Sequence, residues 1–104
     1  MVLAGTIDAQ ANIQNWNEHA MGARPTTVSN ISIFDLPKYV SVSAGYTFKF
    51  TAANTNIFGQ NVEEGDVLII IRDIARDADA GAVTSTDIVI IQSNIDTQDL
   101  TKRV

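Results

Sequence analysis

The chain contains no cysteine, one histidine, one tryptophan, two prolines and only seven lysine or arginine residues. Without cysteine there is no disulfide, no thiol nucleophile and no thiolate metal site. With a single histidine, acid–base chemistry near neutral pH falls to His19 or to carboxylates with displaced pKa values. His19 lies between Glu18 and Ala20 in a polar stretch, so a solvated or locally hydrogen-bonded imidazole is the expected state. The few basic residues are scattered and the net charge is −5. No positive footprint exists to neutralise phosphates, and nucleic acid is not an expected partner. The longest apolar run, Val67 to Ile71, falls far short of the ~20 residues that span a bilayer, so no membrane segment is expected. Met1 to Gly5 has neither a basic nor an apolar region of the secretory kind, and no leader is expected there.

What is present points to a β fold. A length of 104 residues suits one domain with one core, and 45% hydrophobic residues against 18% charged is too apolar for disorder. The aliphatic residues are 13 Ile and 9 Val against 4 Leu, beside 10 Thr. Branching at Cβ restricts χ1 and suits a pleated sheet. The reading is therefore a single all-β domain over 1–104, with 97–104 a tail or the start of a helix.

Along the chain, 3–17 reads in two ways. As a helix it repeats Ala9, Ile13, Trp16 and Ala20; as a strand, Gly5 to Ala9 alternates before an Asn-rich turn. A strand over 4–9, followed by a loop or short helical turn, is preferred. Residues 21–27 form a connection around Arg24-Pro25. Val28 to Phe34 reads as a strand. The alternation over Lys38 to Ser43 and over Tyr46 to Phe50, with Ala44-Gly45 between, predicts a hairpin. Residues 52–61 read as a polar loop with Ile57 and Phe58 tucked back onto the core. The uninterrupted runs Val67 to Ile71 and Ile88 to Ile91 predict neighbouring central strands buried on both faces, joined by an exposed excursion over 72–86. Six or seven short strands with little helix predict a small antiparallel β-sandwich or barrel. The isolated glycines are each expected at a turn requiring positive φ.

Chemistry-bearing motifs are scarce. No serine lies in a nucleophile-elbow pattern. Asp77-Ala-Asp79-Ala-Gly81 superficially resembles a calcium loop, but an EF-hand opened at Asp77 needs its bidentate Glu where Ile88 stands and its glycine one place after Gly81. Solvated loop charges are the better reading. No catalytic residue, metal ligand or cofactor site is nominated, and no enzyme is expected. Trp16, in a polar neighbourhood, and the loop residues of Asn54 to Asn61, Asn54 and Asn56 foremost, are the candidates for an interaction surface. Tyr39 and Tyr46 have the same amphipathic character, but Tyr46 is in register with Phe48 and Phe50 and so reads equally well as core.

Three stretches carry a resemblance. Gly5-Thr-Ile-Asp-Ala-Gln-Ala-Asn12, Val62-Glu-Glu-Gly-Asp-Val-Leu-Ile-Ile-Ile-Arg-Asp73 and Asp87-Ile-Val-Ile-Ile-Gln-Ser-Asn-Ile-Asp96 resemble, in matching order, a β module of tailed-bacteriophage fibre, appendage and other virion structural proteins. The chain departs from that pattern in its middle, which carries Phe34, Phe48, Phe50 and Phe58 in place of a glycine-rich stretch. The resemblance implies a structural virion component, a fibre, head-fibre or decoration protein, made in the host cytoplasm. It implies partners among copies of the chain, a homotrimer being favoured, and among other virion proteins. The alternative is a carbohydrate- or receptor-binding module at a fibre tip, with a host surface glycan as partner.

Overall fold

A computed structural model describes residues 1–93, so the expectation for 97–104 and the end of the third resembling stretch lie outside the described residues. The fold is all-β. Seven strands are present among the described residues: β1 (Val2–Ile7), β2 (Ile13–Gln14), β3 (Tyr46–Phe50), β4 (Asn54–Ile57), β5 (Gln60–Val62), β6 (Val67–Ile70) and β7 (Ile88–Ile91). Among the described residues, helix is confined to α1 (Glu18–Met21) and two 3₁₀ turns, Ile33–Lys38 and Ser85–Asp87. Five strands form one sheet in the order β2-β1-β3-β6-β7, and β4-β5 form a separate hairpin. The sheet does not close into a barrel.

The strand reading of the N-terminal segment holds, as does the pairing of the two aliphatic runs. β6 and β7 are antiparallel, with Val67, Leu68, Ile69 and Ile70 opposite Ile91, Ile90, Val89 and Ile88. The expected hairpin does not form. Tyr46–Phe50 pairs instead with β1 in parallel and with β6 antiparallel, so the sheet is mixed rather than wholly antiparallel. The reason lies in Ile33–Lys38. The Ser32 hydroxyl caps that turn by accepting from the Phe34 amide at 3.2 Å, and Pro37, with no N–H to donate, sits inside it. The amides of Tyr39 and Val40 both turn back to the Leu36 carbonyl, which coils the segment that alternation had marked as extended. Of 38–43, only Val42 makes a bridge, to Ile74.

The strand expected over Val28 to Phe34 is likewise reduced to one bridge. Asn12 opposes Ser32, and the amides of Ile13 and Ile33 donate to the carbonyls of Ile31 and Ala11 at 2.8 and 2.9 Å. In the other direction, 52–61 is more ordered than a loop. Two residues, Phe58 and Gly59, join β4 to β5, both at positive φ as a type I′ turn requires. Ile57 does tuck onto the core.

Phe48 and Phe50 are fully buried on the inner face of the sheet, beside Ile7, Leu68 and Ile70. Burying each such side chain is worth roughly 1.5–3 kcal/mol. Ile13, Ile31, Ile33, Leu36 and Val42, all from the connection between β1 and β3, belong to the same core cluster. An irregular crossover thus does the work of a second layer. The expectation that both runs are central strands buried on both faces fails: in β6 Leu68 and Ile70 are buried but Val67 and Ile69 only half-buried, Ile71 after it is 50% exposed, and in β7, last in the sheet order, Val89 and Ile91 are 43% and 50% exposed.

Two glycines are required by space, not by positive φ. A Cβ on Gly5 would lie 2.9 Å from the Gln14 carbonyl oxygen, and one on Gly81 would lie 2.5 Å from backbone atoms of Asp77 and Pro37. The 72–86 excursion is therefore clamped onto the 3₁₀ turn, with the Asp77 amide donating to the Pro37 carbonyl. Gly81→Ala should destabilise the fold by about 1–3 kcal/mol, since backbone must move to admit the methyl group; urea denaturation monitored by Trp16 fluorescence measures it, and an unchanged midpoint would contradict this packing.

Candidate functional site

The turn after β1 is built by one carboxylate. Asp8 Oδ1 accepts from the amides of Gln10 and Asn12 at 2.9 and 3.0 Å, and Oδ2 accepts from Gln14 Nε2 at 2.9 Å. Partial burial works to raise the Asp8 pKa, but the bonds from Gln14, Asn12 and Gln10 outweigh it and hold the carboxyl below its ordinary 3.8. The turn leaves Ala11 at φ 64°. Asn54 fastens the β4–β5 hairpin to it, its Nδ2 donating to the Asp8 carbonyl at 2.9 Å.

Between turn and hairpin lies an open groove of about 610 Å³, lined by Gln10, Ala11, Phe34, Asn54, Asn56 and Asn61 among others. Asn56 and Phe58 on the hairpin also have positive φ, 57° and 50°. Non-glycine residues in this region are strained and tend to gather where a surface is shaped for use. Phe58 holds Phe34 in place, their ring centroids 4.8 Å apart and tilted by 59°.

Of the residues singled out from the sequence, the structure brings Asn54 and Asn56 into this groove. Trp16 is not among its lining residues: the ring is half-buried against the core, and its indole N–H donates to the Gly22 carbonyl at 2.8 Å. His19 stands exposed on α1, away from the groove. Asn61, at the end of the candidate loop Asn54 to Asn61, also lines it, whereas Gln10 and Phe34 were not singled out. The Phe58-Gly59 pair, flanked by Ile57 and Val62, was the available signal for the hairpin that gathers them.

A second surface is the outer face of the sheet. Strand registers align Leu3, Thr47, Ile69 and Val89 in one row and Thr6, Lys49, Val67 and Ile91 in the next. Leu3, Val89 and Ile91 are 57%, 43% and 50% exposed, so among the described residues nothing covers this face. At its margin β7 is, among the described residues, an edge strand. The Ile71 amide donates to the Asp87 carbonyl at 2.9 Å, and the antiparallel alternation that follows from it turns the backbone groups of Val89 and Ile91 towards β6 and those of Ile88 and Ile90 outward. A neutral aliphatic edge with free backbone groups is a template for another strand.

β7 is fixed at both ends by buried carboxylates. Asp66, 1% exposed, accepts from the amides of Glu63 and Ser93 at 2.9 and 3.0 Å. Asp87 accepts from the Thr84 amide and hydroxyl, each at 2.8 Å, and faces the Arg72 guanidinium at 3.6 Å. Among the described residues, no group of three His, Asp or Glu side chains is placed to hold a metal ion.

Comparison of the chain with protein-family models, curated proteins and solved structures finds no match.

Burial works to raise the Asp87 pKa, but the Thr84 bonds and Arg72 overcome it and leave the carboxyl below 3.8. A depressed folded-state value contributes stability that is complete above the unfolded value of 3.8 and is lost as pH falls through the lower, folded one. Asp87→Asn should therefore cost about 1.5–3 kcal/mol at pH 7. The gap to wild type should narrow in urea titrations repeated below pH 3.8; a gap independent of pH would show that the charge contributes nothing.

Proposed function

We propose that this chain is a structural subunit of a tailed-phage virion, acting by assembly with copies of itself and with other virion proteins and not by catalysis. The observation that carries the reading is the aliphatic outer face, which no described residue covers, bordered by β7 as the edge strand of the described sheet. Contiguous exposed apolar surface on a folded chain marks an interaction site, because leaving it in water forgoes its burial. The occupant proposed is another copy of this chain. Although the chain carries a net charge of −5, neither outer row contains a carboxylate, and Lys49 is their one charged residue. Two such faces meet without opposed acidic groups. Three copies around an axis, each turning this face inward, would enclose the rows, and the trimer favoured by the resemblance has that form.

The resembling stretches support the reading from a second side. Their distinctive positions do structural work in this fold: Asp8 builds a turn, Gly65 takes φ 94°, and Asp66 ties that turn to the end of β7. None of them is placed as a catalytic group. The location that goes with this reading is the virion, with synthesis in the host cytoplasm.

Light scattering on the purified chain should report an oligomer at micromolar concentration. The double variant Val89→Lys, Ile91→Lys should be monomeric with an unchanged circular dichroism spectrum, since both side chains are already in water in the single chain. A wild-type chain that stays monomeric across the concentration range would overturn the proposal.

A further inference from the structure

We propose that the groove between the Asp8–Asn12 turn and the β4–β5 hairpin is a binding site for a neutral carbohydrate. This site is independent of the assembly reading, because no residue of the two outer rows lines it.

The lining chemistry selects the ligand class. Gln10, Thr55, Asn56 and Asn61 contribute amides and a hydroxyl and Glu63 a carboxylate, which accepts from sugar hydroxyls and repels an anionic ligand, while no lysine, arginine or histidine lines the groove. A phosphate or sulfate would find no cation to neutralise it. A sugar hydroxyl both donates and accepts, and an amide side chain offers a donor and an acceptor in one plane, so neighbouring hydroxyls match it in pairs. Phe34 adds an apolar wall for the C–H face of a pyranose ring. The volume of about 610 Å³ falls among small-molecule sites, which run roughly 300–1,000 Å³.

Two lining asparagines divide the work. Asn54 is a positioning residue, its Nδ2 donating to the carbonyls of Asp8 and Ala52. Asn56 engages neighbours through its backbone, its amide N–H donating to Asn61 Oδ1 at 3.3 Å. Among the described residues its side chain makes no hydrogen bond, and it stands exposed at the rim. Ala11 and Asn56, both lining the groove and held at positive φ, fix its shape before any ligand arrives. A preformed site loses less freedom on binding.

The full chain is screened on a printed array of neutral and acidic oligosaccharides, and the strongest neutral binder is titrated by calorimetry, per protomer. Saturable binding to neutral oligosaccharides is expected. Asn56→Gly keeps the left-handed backbone and deletes only the amide; it should weaken binding at least tenfold, and Gln10→Ala should act in the same direction. Trp16→Phe should leave affinity unchanged. Light scattering on the same variants should show the wild-type oligomer, which separates loss of the site from loss of assembly. Three results would overturn the proposal: no binding to any neutral oligosaccharide, a preference for acidic saccharides or for a peptide library, or unchanged affinity in Asn56→Gly.

Discussion

The parallel pairing of β3 with β1 is the constraint from which the rest of the molecule follows. Two parallel strands cannot be joined by a tight turn, so the chain must leave the end of β1 and travel back along the sheet before β3 begins. In most proteins a helix makes that journey. Here residues 8–45 make it through a two-residue strand, one turn of helix and a 3₁₀ turn, and they bring Ile13, Ile31, Ile33 and Leu36 down onto Phe48 and Phe50. A connection this irregular must find hydrogen bonds outside regular ladders. It does so through Asp8, the Ser32 cap and the bridge of Asn12 with Ser32. Covering one face in this way leaves no chain among the described residues for the other. The bare outer face is a consequence of the same topology.

Buried carboxylates recur where the regular structure stops. Asp66 and Asp87 are the polar or charged side chains buried in the described fold, and each gathers amide donors from a turn at an end of β7. An amide that loses its ladder partner in a covered position is costly, and an ionised oxygen is the strongest acceptor available to it. The acidic character of the chain therefore has a local component. Several of its negative charges hold turns together.

Legibility in the sequence followed the range of the interactions. The runs at Val67 and Ile88 announced themselves because β-branched residues in an unbroken stretch favour a sheet whatever surrounds them. Alternation was a poorer guide. Over 38–43 it was right about which residue goes in, since Val42 is buried, and wrong about the backbone, because the Pro37 turn coils the chain just upstream. Partnering was the least visible property. Tyr46–Phe50 has the pattern of a strand in any arrangement, and nothing local says that its neighbour is β1 and not the adjacent segment. The hairpin over 54–62 hid for another reason: its type I′ loop has Phe58 where asparagine, aspartate or glycine is the usual signal. The loop from Asn54 to Asn61 was found by composition, while Gln10 joined it only through the fold.

The placement of Phe58 joins these threads. A bulky residue at φ 50° is a local cost that a bare hairpin would shed by mutation to asparagine or glycine. What offsets it is the contact with Phe34, which belongs to the 3₁₀ turn of the crossover and not to the hairpin. The strained turn therefore has a tertiary purpose: it pins a hairpin outside the main sheet onto the layer that covers that sheet, and the groove is the space left between them. The crossover that the parallel pairing demands thus supplies both the inner half of the core and one wall of the proposed site. The outer rows stay free for a neighbouring copy, so on these proposals one chain can assemble through its sheet and recognise a ligand through its connections, with neither surface obstructing the other.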